Sequence, residues 1–427
     1  MKEITSLKST LTAGGADEIL TGLYGVSGDA LTPYRLRLCA AADSFAQMFG
    51  KTEAALFSVS GRTEIGGNHT DHQNGRVLAA AVSLDVIAAA APNGTNIIRV
   101  QSEGYPLDEI DLSNLNPLES EKNTAAALIR GVAARFAQLG YEIGGFDAYT
   151  TSNVLKGSGL SSSAAFEVLL GNIINAFFAD GKETDVSIAQ IGQYAENVYF
   201  GKPCGLMDQM AASVGGVVQI DFADPEKPDI ARIAFDPAKA GYALCIIDSG
   251  ADHADLTDAY AAIPQEMGAV AKALGKERLR FVDEAAFYEN LPRLRKECGD
   301  RAVLRAIHFF GDHARVLREA DALRNGNIDA FLDELTASGK SSFCYLQNVY
   351  DNRNPQEQAV SLVLALCEQM LGGKGGFRVH GGGFAGTVQA FVPLDMLDMF
   401  KTKMEAVTGT GSCHVLRLRA LGGTKII

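Results

Sequence analysis

The chain of 427 residues lacks features that mark several classes of protein. Its seven cysteines are scattered and none has CxxC spacing, so we expect free, mostly buried thiols rather than a zinc site or a disulfide framework. Excess positive charge is absent too, because the formal net charge is −13, which predicts no binding of nucleic acid. The N-terminus has no apolar signal core, and the longest apolar stretch, residues 78–92, is interrupted by Asp85 and is too short to span a bilayer. We therefore expect a cytoplasmic protein without a membrane partner.

The pattern of apolar residues predicts a mixed fold. Helical spacing is found in residues 34–49, 124–139 and 161–178, whereas residues 54–59, 75–82, 216–222 and 242–247 have the character of strands. Strands and helices do not alternate strictly, so the sequence favours the α+β class over a doubly wound sheet. An acidic, proline-containing segment at 223–228 is the best composition break, and it predicts two regions, residues 1–225 and 226–427.

The strongest local signal is the segment KGSGLSSSAA at residues 156–165, directly before the predicted helix 161–178. Glycines let the backbone approach an anion closely, and a helix N-terminus offers unpaired N–H groups and the positive end of the helix dipole. The segment therefore predicts a cradle for a polyphosphate. A serine-capped helix entry without a ligand is the structural alternative. The pattern is neither a Walker A loop nor a full GxGxxG fingerprint.

A second segment, GRTEIGGNHTDHQNG at residues 61–75, places many polar side chains between two predicted strands. Arg62 is suited to neutralise charge on a phosphoryl group during transfer. Asn68, His69 and Asp71 supply the donors and acceptors that the hydroxyls of a polyol require. A metal cluster formed by His69, Asp71 and His72 is the alternative, but the sequence shows no further ligand set.

Two further segments complete the pattern. The segment FGKPCGLMDQM at 200–210 contains Asp208 in a turn shaped by glycine and proline, after the predicted helical Glu196. The segment VHGGGFAGT at 379–387 is a glycine-rich turn before an apolar strand, and alone it is a weak signal.

Together the four segments resemble the GHMP kinase superfamily and, within it, the galactokinases. The motifs GRxxxxGxHxD, GSGLSSSAA, GxPCGxMDQ and GGGFxGT occur in the family's order, and the second and third matches are specific. The resemblance covers nearly the whole chain beyond about residue 50. It implies two lobes, an N-terminal one like domain 2 of ribosomal protein S5 and a ferredoxin-like C-terminal one, with ATP and sugar bound between them.

The resemblance also implies roles for individual residues. Asp208 matches the base that takes the proton of the anomeric hydroxyl, and Arg62 would keep that base ionised and stabilise the transferring group. Mg²⁺ would be held by Ser163, or its neighbour Ser162, and by Glu196. Residues expected to contact the ATP phosphates, or to support the loop that does so, are Gly157, Ser158, Gly159, Leu160, Ser161, Ser162, Ser163, Gly382 and Gly383. Residues expected to bind the sugar are Asn68, His69, Asp71 and, by a loose alignment, Tyr260.

The sequence departs from the resembled family at the sugar loop. Galactokinases usually have Glu where Asn68 stands, and that Glu contacts the C6 hydroxyl; they usually have Tyr where His72 stands. The neutral amide of Asn68, together with the stretch 341–348, is similar to plant galacturonate kinases. Galactose is the expected substrate of a monomeric enzyme, with galacturonate or another pyranose as alternatives. A non-catalytic sensor of sugar and ATP is disfavoured, because the phosphate loop, Arg62 and Asp208 are intact.

Overall fold

Two β-sheets form the framework of the chain in the computed structural model, which describes residues 1–155, 159–250, 256–384 and 386–427. The larger sheet contains β1 (Lys2–Glu3), β2 (Glu53–Gly66), β3 (Arg76–Pro92), β4 (Ile97–Ser102), β5 (Leu107–Asp111), β6 (Phe146–Ser152), β7 (Val217–Asp221), β8 (Asp229–Ile233) and β13 (Thr424–Lys425). The smaller sheet contains β9 (Tyr242–Asp248), β10 (Gly376–Val379), β11 (Thr387–Pro393) and β12 (Cys413–Leu416). Most neighbouring strands are antiparallel, and β4 pairs with β6 in parallel.

Helices pack on both sides of the sheets. They are α1 (Ile4–Thr12), α2 (Asp17–Tyr24), α3 (Thr32–Phe49), α4 (Ala125–Gln138), α5 (Ser162–Phe178), α6 (Asp185–Tyr194), α7 (Met207–Val214), α8 (Thr257–Ala273), α9 (Glu284–Glu289), α10 (Leu291–Cys298), α11 (Asp300–Arg324), α12 (Ile328–Ser341), α13 (Ala359–Leu371) and α14 (Leu397–Thr408). The α+β class is confirmed, and so are the helices predicted near 34–49, 124–139 and 161–178. No helix among the described residues is long and apolar enough to cross a membrane.

Strands β2 and β3 are buried on both faces. Ala55 and Phe57 face the core formed with α4 and α5, whereas Leu56 and Ile87 face a second core formed with α1, α2 and α3. Because successive strand side chains point to opposite faces, two covered faces produce continuous apolar runs instead of alternation. This double burial explains the long apolar stretch at 78–92, which is a strand of the sheet.

Asp85 interrupts that apolar stretch and is fully buried with partners. Its carboxylate accepts hydrogen bonds from Tyr24 Oη at 2.8 Å and Ser58 Oγ at 2.5 Å, and it pairs with Arg37. A buried carboxylate needs such compensation. The N-terminal helices are therefore an integral part of the larger sheet's outer face.

The two sheets are not separated cleanly along the sequence. Strands β7 and β8 form a hairpin of the larger sheet, and the predicted boundary at 225/226 lies in the loop that joins them. Strand β13, at the end of the chain, returns to pair with β2. The C-terminal part of the chain thus contributes to both sheets. In the described part of the chain the cysteines are free, and Cys39, Cys245, Cys367 and Cys413 are buried.

Candidate active site

The centre of the site is an ion pair between Arg62 on β2 and Asp208 in the first turn of α7. Arg62 Nε donates to Asp208 Oδ1 at 2.7 Å, and Nη2 lies 2.7 Å from the same oxygen. Ser161 donates its hydroxyl to the other carboxylate oxygen, Oδ2. Both oxygens of Asp208 are therefore held by donors from two other segments, which fixes the direction of the carboxylate.

These contacts decide the charge of Asp208. Burial alone would raise the pKa of this carboxyl, but the charge of Arg62 and the hydrogen bonds from Ser161 and Arg62 outweigh burial and lower the pKa below its ordinary value. Asp208 is accordingly ionised at neutral pH and able to accept a hydrogen bond or a proton from a hydroxyl group.

The entry to α5 lies against the same pair. The backbone N–H of Arg62 donates to the Leu160 carbonyl at 3.0 Å, and Arg62 Nη1 donates to the Gly159 carbonyl. Gly159 has φ of +70° and Ser161 has φ of +55°, so the segment turns sharply before α5 begins at Ser162. Ser161 to Ser163 thus lie at a helix N-terminus, as a phosphate cradle requires. Gly157 and Ser158, which the sequence also predicts as phosphate contacts, lie outside the described residues.

Ser163 and Glu196 place two oxygen ligands beside the cradle. Ser163 Oγ is 3.5 Å from Glu196 Oε1, and Lys202 Nζ is 3.8 Å from the same oxygen. Glu196 sits in a π-helical turn, residues 195–200, a local distortion that often occurs at functional sites. A hydroxyl and a carboxylate that approach each other suit Mg²⁺, which prefers oxygen ligands and also takes them from substrate phosphates.

Gln209 and Glu167 extend this group of oxygen ligands, and neither residue was predicted from the sequence to belong to it. Gln209 Nε2 donates to Glu196 Oε2 at 2.8 Å and to Glu167 Oε2 at 2.9 Å. Burial, and next the charge of Glu196, raise the pKa of Glu167 well above its ordinary value. Gln209 follows Asp208 directly, so the segment PCGLMDQ contained a signal, but the partner Glu167 is remote in sequence and only the fold brings it close.

The sugar loop, residues 68–74, forms the other wall. His69 Nε2 donates to the Gly382 carbonyl at 3.0 Å, and burial together with the nearby His72 ring lowers the pKa of His69 to about 3. The ring of Tyr260 lies 5.1 Å from that of His69 and 6.2 Å from that of His72. Burial, followed by the charges of Asp208 and Asp71, raises the pKa of Tyr260. The rings of His69 and Tyr260 in this wall are therefore neutral at pH 7.

Asp71 is packed against the segment that carries Asp208. A Cβ atom on Gly205 would lie 1.8 Å from Asp71 Oδ2, so only glycine fits at this position with Asp71 in place. The structure therefore brings Asp71, His69 and Tyr260 to the same side as Arg62 and Asp208.

Asn68 has a different environment from its neighbours. Its side chain is fully buried, and it is hydrogen bonded to Glu64, Gly381, Ser342 and Asn348. Gly382 and Gly383 lie in the turn that Asn68 contacts. The expectation that Asn68 binds the sugar stays a prediction.

Comparisons with known proteins show the family to which this chain is similar. A model of the GHMP kinase N-terminal domain matches residues 127–216, and a galactokinase galactose-binding signature matches residues 43–92. Galactokinase from Actinobacillus pleuropneumoniae serotype 3 (strain JL03) is 31% identical over 355 residues, which are 83% of this chain and 89% of that protein. A second galactokinase from the same species is 30% identical over the same share of both chains.

Solved structures support the fold. Lactococcus lactis galactokinase in complex with galactose superposes with a TM-score of 0.80 at 24% identity, and covers 91% of this chain and 100% of that one. Methanococcus jannaschii mevalonate kinase superposes with a TM-score of 0.60 at 13% identity, covering 87% and 100%.

Fold and site together define a GHMP kinase, an ATP-dependent enzyme that phosphorylates a small molecule. Within that superfamily, the identity and coverage show that this chain belongs to the galactokinase family, whose members are sugar kinases. The family and the two-lobed α+β fold predicted from the four motifs are thus confirmed.

Proposed function

We propose that this chain transfers the γ-phosphoryl group of ATP to the anomeric hydroxyl of galactose and releases galactose 1-phosphate and ADP. The observation that carries the proposal is the position of Asp208 and Arg62 between the sugar loop and the N-terminus of α5. A phosphoryl acceptor bound by the loop and a phosphate bound at the helix would meet at this ion pair.

Each of these side chains has a defined role in the proposed reaction. Ionised Asp208 accepts the proton from the anomeric hydroxyl, whose oxygen forms the new bond to the γ-phosphorus while the bond to the leaving ADP oxygen breaks. Arg62 stabilises the negative charge of the transferring group and keeps the pKa of Asp208 low. Ser163 and Glu196 would hold Mg²⁺, which would neutralise phosphate charge. Ser161 orients Asp208.

Galactose is favoured over galacturonate because the Asn68 amide has no free donor for a C6 carboxylate. Binding of galacturonate would require the neutral side chain of Asn68 to face the C6 carboxylate of the sugar. In the structure the Asn68 amide contacts Glu64 Oε1 at 2.8 Å, and its backbone N–H donates to Asp312 Oδ2 at 2.8 Å. The second donor hydrogen of the amide goes to the Gly381 carbonyl, so no amide donor is left for a C6 carboxylate. Arg378 already pairs with Glu64, and Arg315 already pairs with Asp312.

The test is ADP release with Mg·ATP and a panel of galactose, galacturonate, glucose, arabinose and glucuronate. We expect turnover of galactose well above that of the other sugars. A preference for galacturonate would overturn the choice of substrate. Binding of galactose and ATP without turnover would show that the chain is a non-catalytic sensor and not a kinase.

One chain carries every residue used in this proposal, so we also propose that the monomer is the active unit. Sedimentation at assay concentrations should give the mass of one chain, 45.3 kDa. A stable dimer that loses activity on dilution would contradict this.

A further inference from the structure

The side chain of Asn68 uses its whole hydrogen-bonding capacity inside the protein. Asn68 Nδ2 donates to Glu64 Oε1 and to the Gly381 carbonyl, both at 2.8 Å. Asn68 Oδ1 accepts from Ser342 Oγ at 3.1 Å and from Asn348 Nδ2 at 2.9 Å. An amide has two donor hydrogens and two acceptor lone pairs, so no position remains for a sugar hydroxyl.

The partners of Asn68 are themselves held in place. Arg378 Nη2 donates to Glu64 Oε1 at 2.6 Å, and both residues are buried. His308 Nε2 donates to the backbone carbonyl of Asn68 at 2.9 Å. Rotating the Asn68 amide toward the sugar would leave several buried groups without partners, and each such loss carries a desolvation cost. The amide is consequently fixed where it is.

Three side-chain donors converge on the carbonyls of one glycine turn, residues 381–383. Asn68 Nδ2 reaches Gly381 O, while His69 Nε2 at 3.0 Å and Asn348 Nδ2 at 3.2 Å both reach Gly382 O. Gly383 has φ of +78°, and a Cβ atom there would lie 2.0 Å from the Asn348 carbonyl. The turn therefore requires glycine at position 383, and three donors are in place to hold it.

The other side of the turn contacts the phosphate cradle. A Cβ atom on Gly159 would lie 3.0 Å from His380 Nδ1, and one on Gly381 would lie 3.6 Å from the Gly159 carbonyl. His380 Nε2 is also 3.0 Å from Thr63 Oγ1, next to Arg62. The glycine turn thus lies between the sugar loop and the segment that enters α5.

We propose that Asn68 is a positioning residue which, with Asn348, fixes the glycine turn between the sugar loop and the phosphate cradle, and that it is not a ligand of the sugar's C6 group. This rests on the proposed function in taking galactose as substrate. The specific consequence is that Asn68 affects both substrates, because it orients His69 on one side and supports Gly159 on the other.

The experiment combines a protein change with a substrate change. Asn68→Ala is assayed with galactose and with 6-deoxygalactose, which lacks only the C6 hydroxyl, and binding of a non-hydrolysable ATP analogue is measured by calorimetry. Loss of buried hydrogen bonds predicts a fall in kcat/KM of roughly 5- to 150-fold, by the same factor for both sugars, and weaker binding of the analogue.

A fall with galactose that disappears with 6-deoxygalactose, with unchanged binding of the analogue, would overturn the proposal, because that pattern identifies a contact to the C6 hydroxyl. If Asn68→Ala does not fold, Ser342→Ala is used instead, because it removes a single donor to Asn68. It should lower kcat/KM for both sugars by one common, smaller factor and weaken binding of the analogue less. Asn93→Ala is the matched control. It removes the hydrogen bonds from the Asn93 side-chain amide to the Ile97 carbonyl and to Asp147 at the far end of β3. It should leave kcat/KM for both sugars and the binding of the analogue unchanged.

Failure of the proposed function is distinguishable from failure of this inference. If the wild-type enzyme does not turn over galactose, the choice of substrate is wrong. Binding of the ATP analogue to Asn68→Ala and to Asn348→Ala still tests the link to Gly159. Unchanged binding in both variants would overturn that link.

Discussion

Arg62 and Asp208, which are 146 positions apart in sequence, form a 2.7 Å ion pair in the cleft between the sugar loop and α5. This pair sets the charge of the proposed base. It also connects β2, where Arg62 is anchored by its backbone N–H, to the first turn of α7.

Asp208→Asn should abolish most turnover and leave binding of ATP nearly intact. The amide cannot take a proton from the anomeric hydroxyl, and general-base catalysis contributes about 10²- to 10⁴-fold. Coupled ADP release measures turnover, and calorimetry measures binding of the nucleotide. Asp300→Asn, which breaks an exposed pair with Arg295, should retain full activity. Full activity in Asp208→Asn would contradict the assignment of the base.

Arg62→Gln should move the acid limb of the pH–rate profile upward. In the wild type the charge of Arg62 lowers the pKa of Asp208 against the effect of burial, so the base stays ionised as the pH falls. Without that charge, burial dominates and raises the pKa, so protonation begins at a higher pH. Profiles of kcat/KM for galactose between pH 4 and 9 measure the shift. Arg62→Lys keeps a positive charge and should shift the limb less, whereas equal profiles for all three proteins would contradict this account.

The fold class and the family could be predicted from the sequence because the motifs that carry them are local. A glycine-rich segment before an amphipathic helix specifies a cradle wherever the helix packs, and the amphipathic pattern of α5 is visible in the sequence. The environment of Asn68 was not predictable, because its partners Gly381 and Asn348 are 313 and 280 positions away. The contact between Gln209 and Glu167, which are 42 positions apart, was hidden for the same reason. A polar residue's type shows what bonds it is able to make, but only the fold shows whether protein or substrate supplies the partner.

Gln209→Ala should weaken the binding of Mg²⁺. Gln209 holds one oxygen of Glu196 at 2.8 Å, and loss of a group that orients a metal ligand typically costs 10- to 100-fold in metal affinity. The Mg²⁺ dependence of ATP-analogue binding and of turnover should both shift to higher concentration, with little change in the KM for galactose. Gln190→Ala, whose side-chain amide donates to the backbone carbonyls of Pro225 and Glu226, is the control. An unchanged Mg²⁺ dependence would exclude this role.

Glu319→Gln should stabilise the protein at alkaline pH. Burial, and then the charge of Asp312, raise the pKa of Glu319 to about 8, and a Cβ atom on Gly66 would lie 1.8 Å from its Oε2. An acid whose pKa is raised on folding gives a stabilisation that is complete below the unfolded value, 4.5, and is lost as the pH rises through 8. The free energy of unfolding of the wild type should therefore fall over this range.

In Glu319→Gln the free energy of unfolding should decrease less as the pH rises. The contribution of Glu319 that is then absent amounts to about 1 kcal/mol for each pH unit over which the group titrates. Urea unfolding at pH 5, 7 and 9 measures the difference. Glu64, whose pKa burial raises to about 7, titrates in the same window and should leave some pH dependence in the variant. Glu368→Gln changes an exposed carboxyl of α13 and should follow the wild type. Parallel curves for wild type and Glu319→Gln would contradict the raised pKa.

Gly205→Ala should raise the KM for galactose and leave the KM for ATP nearly unchanged. The added methyl group would lie 1.8 Å from Asp71 Oδ2, so Asp71 must move away from its place in the sugar loop. Gly268→Ala is the control, because nothing lies within 4 Å of the new methyl group in the middle of α8. Initial rates with each substrate varied separately give both KM values. Since Asp71 lies on the sugar side, an equal rise in both values would mean that the methyl group displaces Asp208 as well, and an unchanged KM for galactose would show that Asp71 does not bind the sugar.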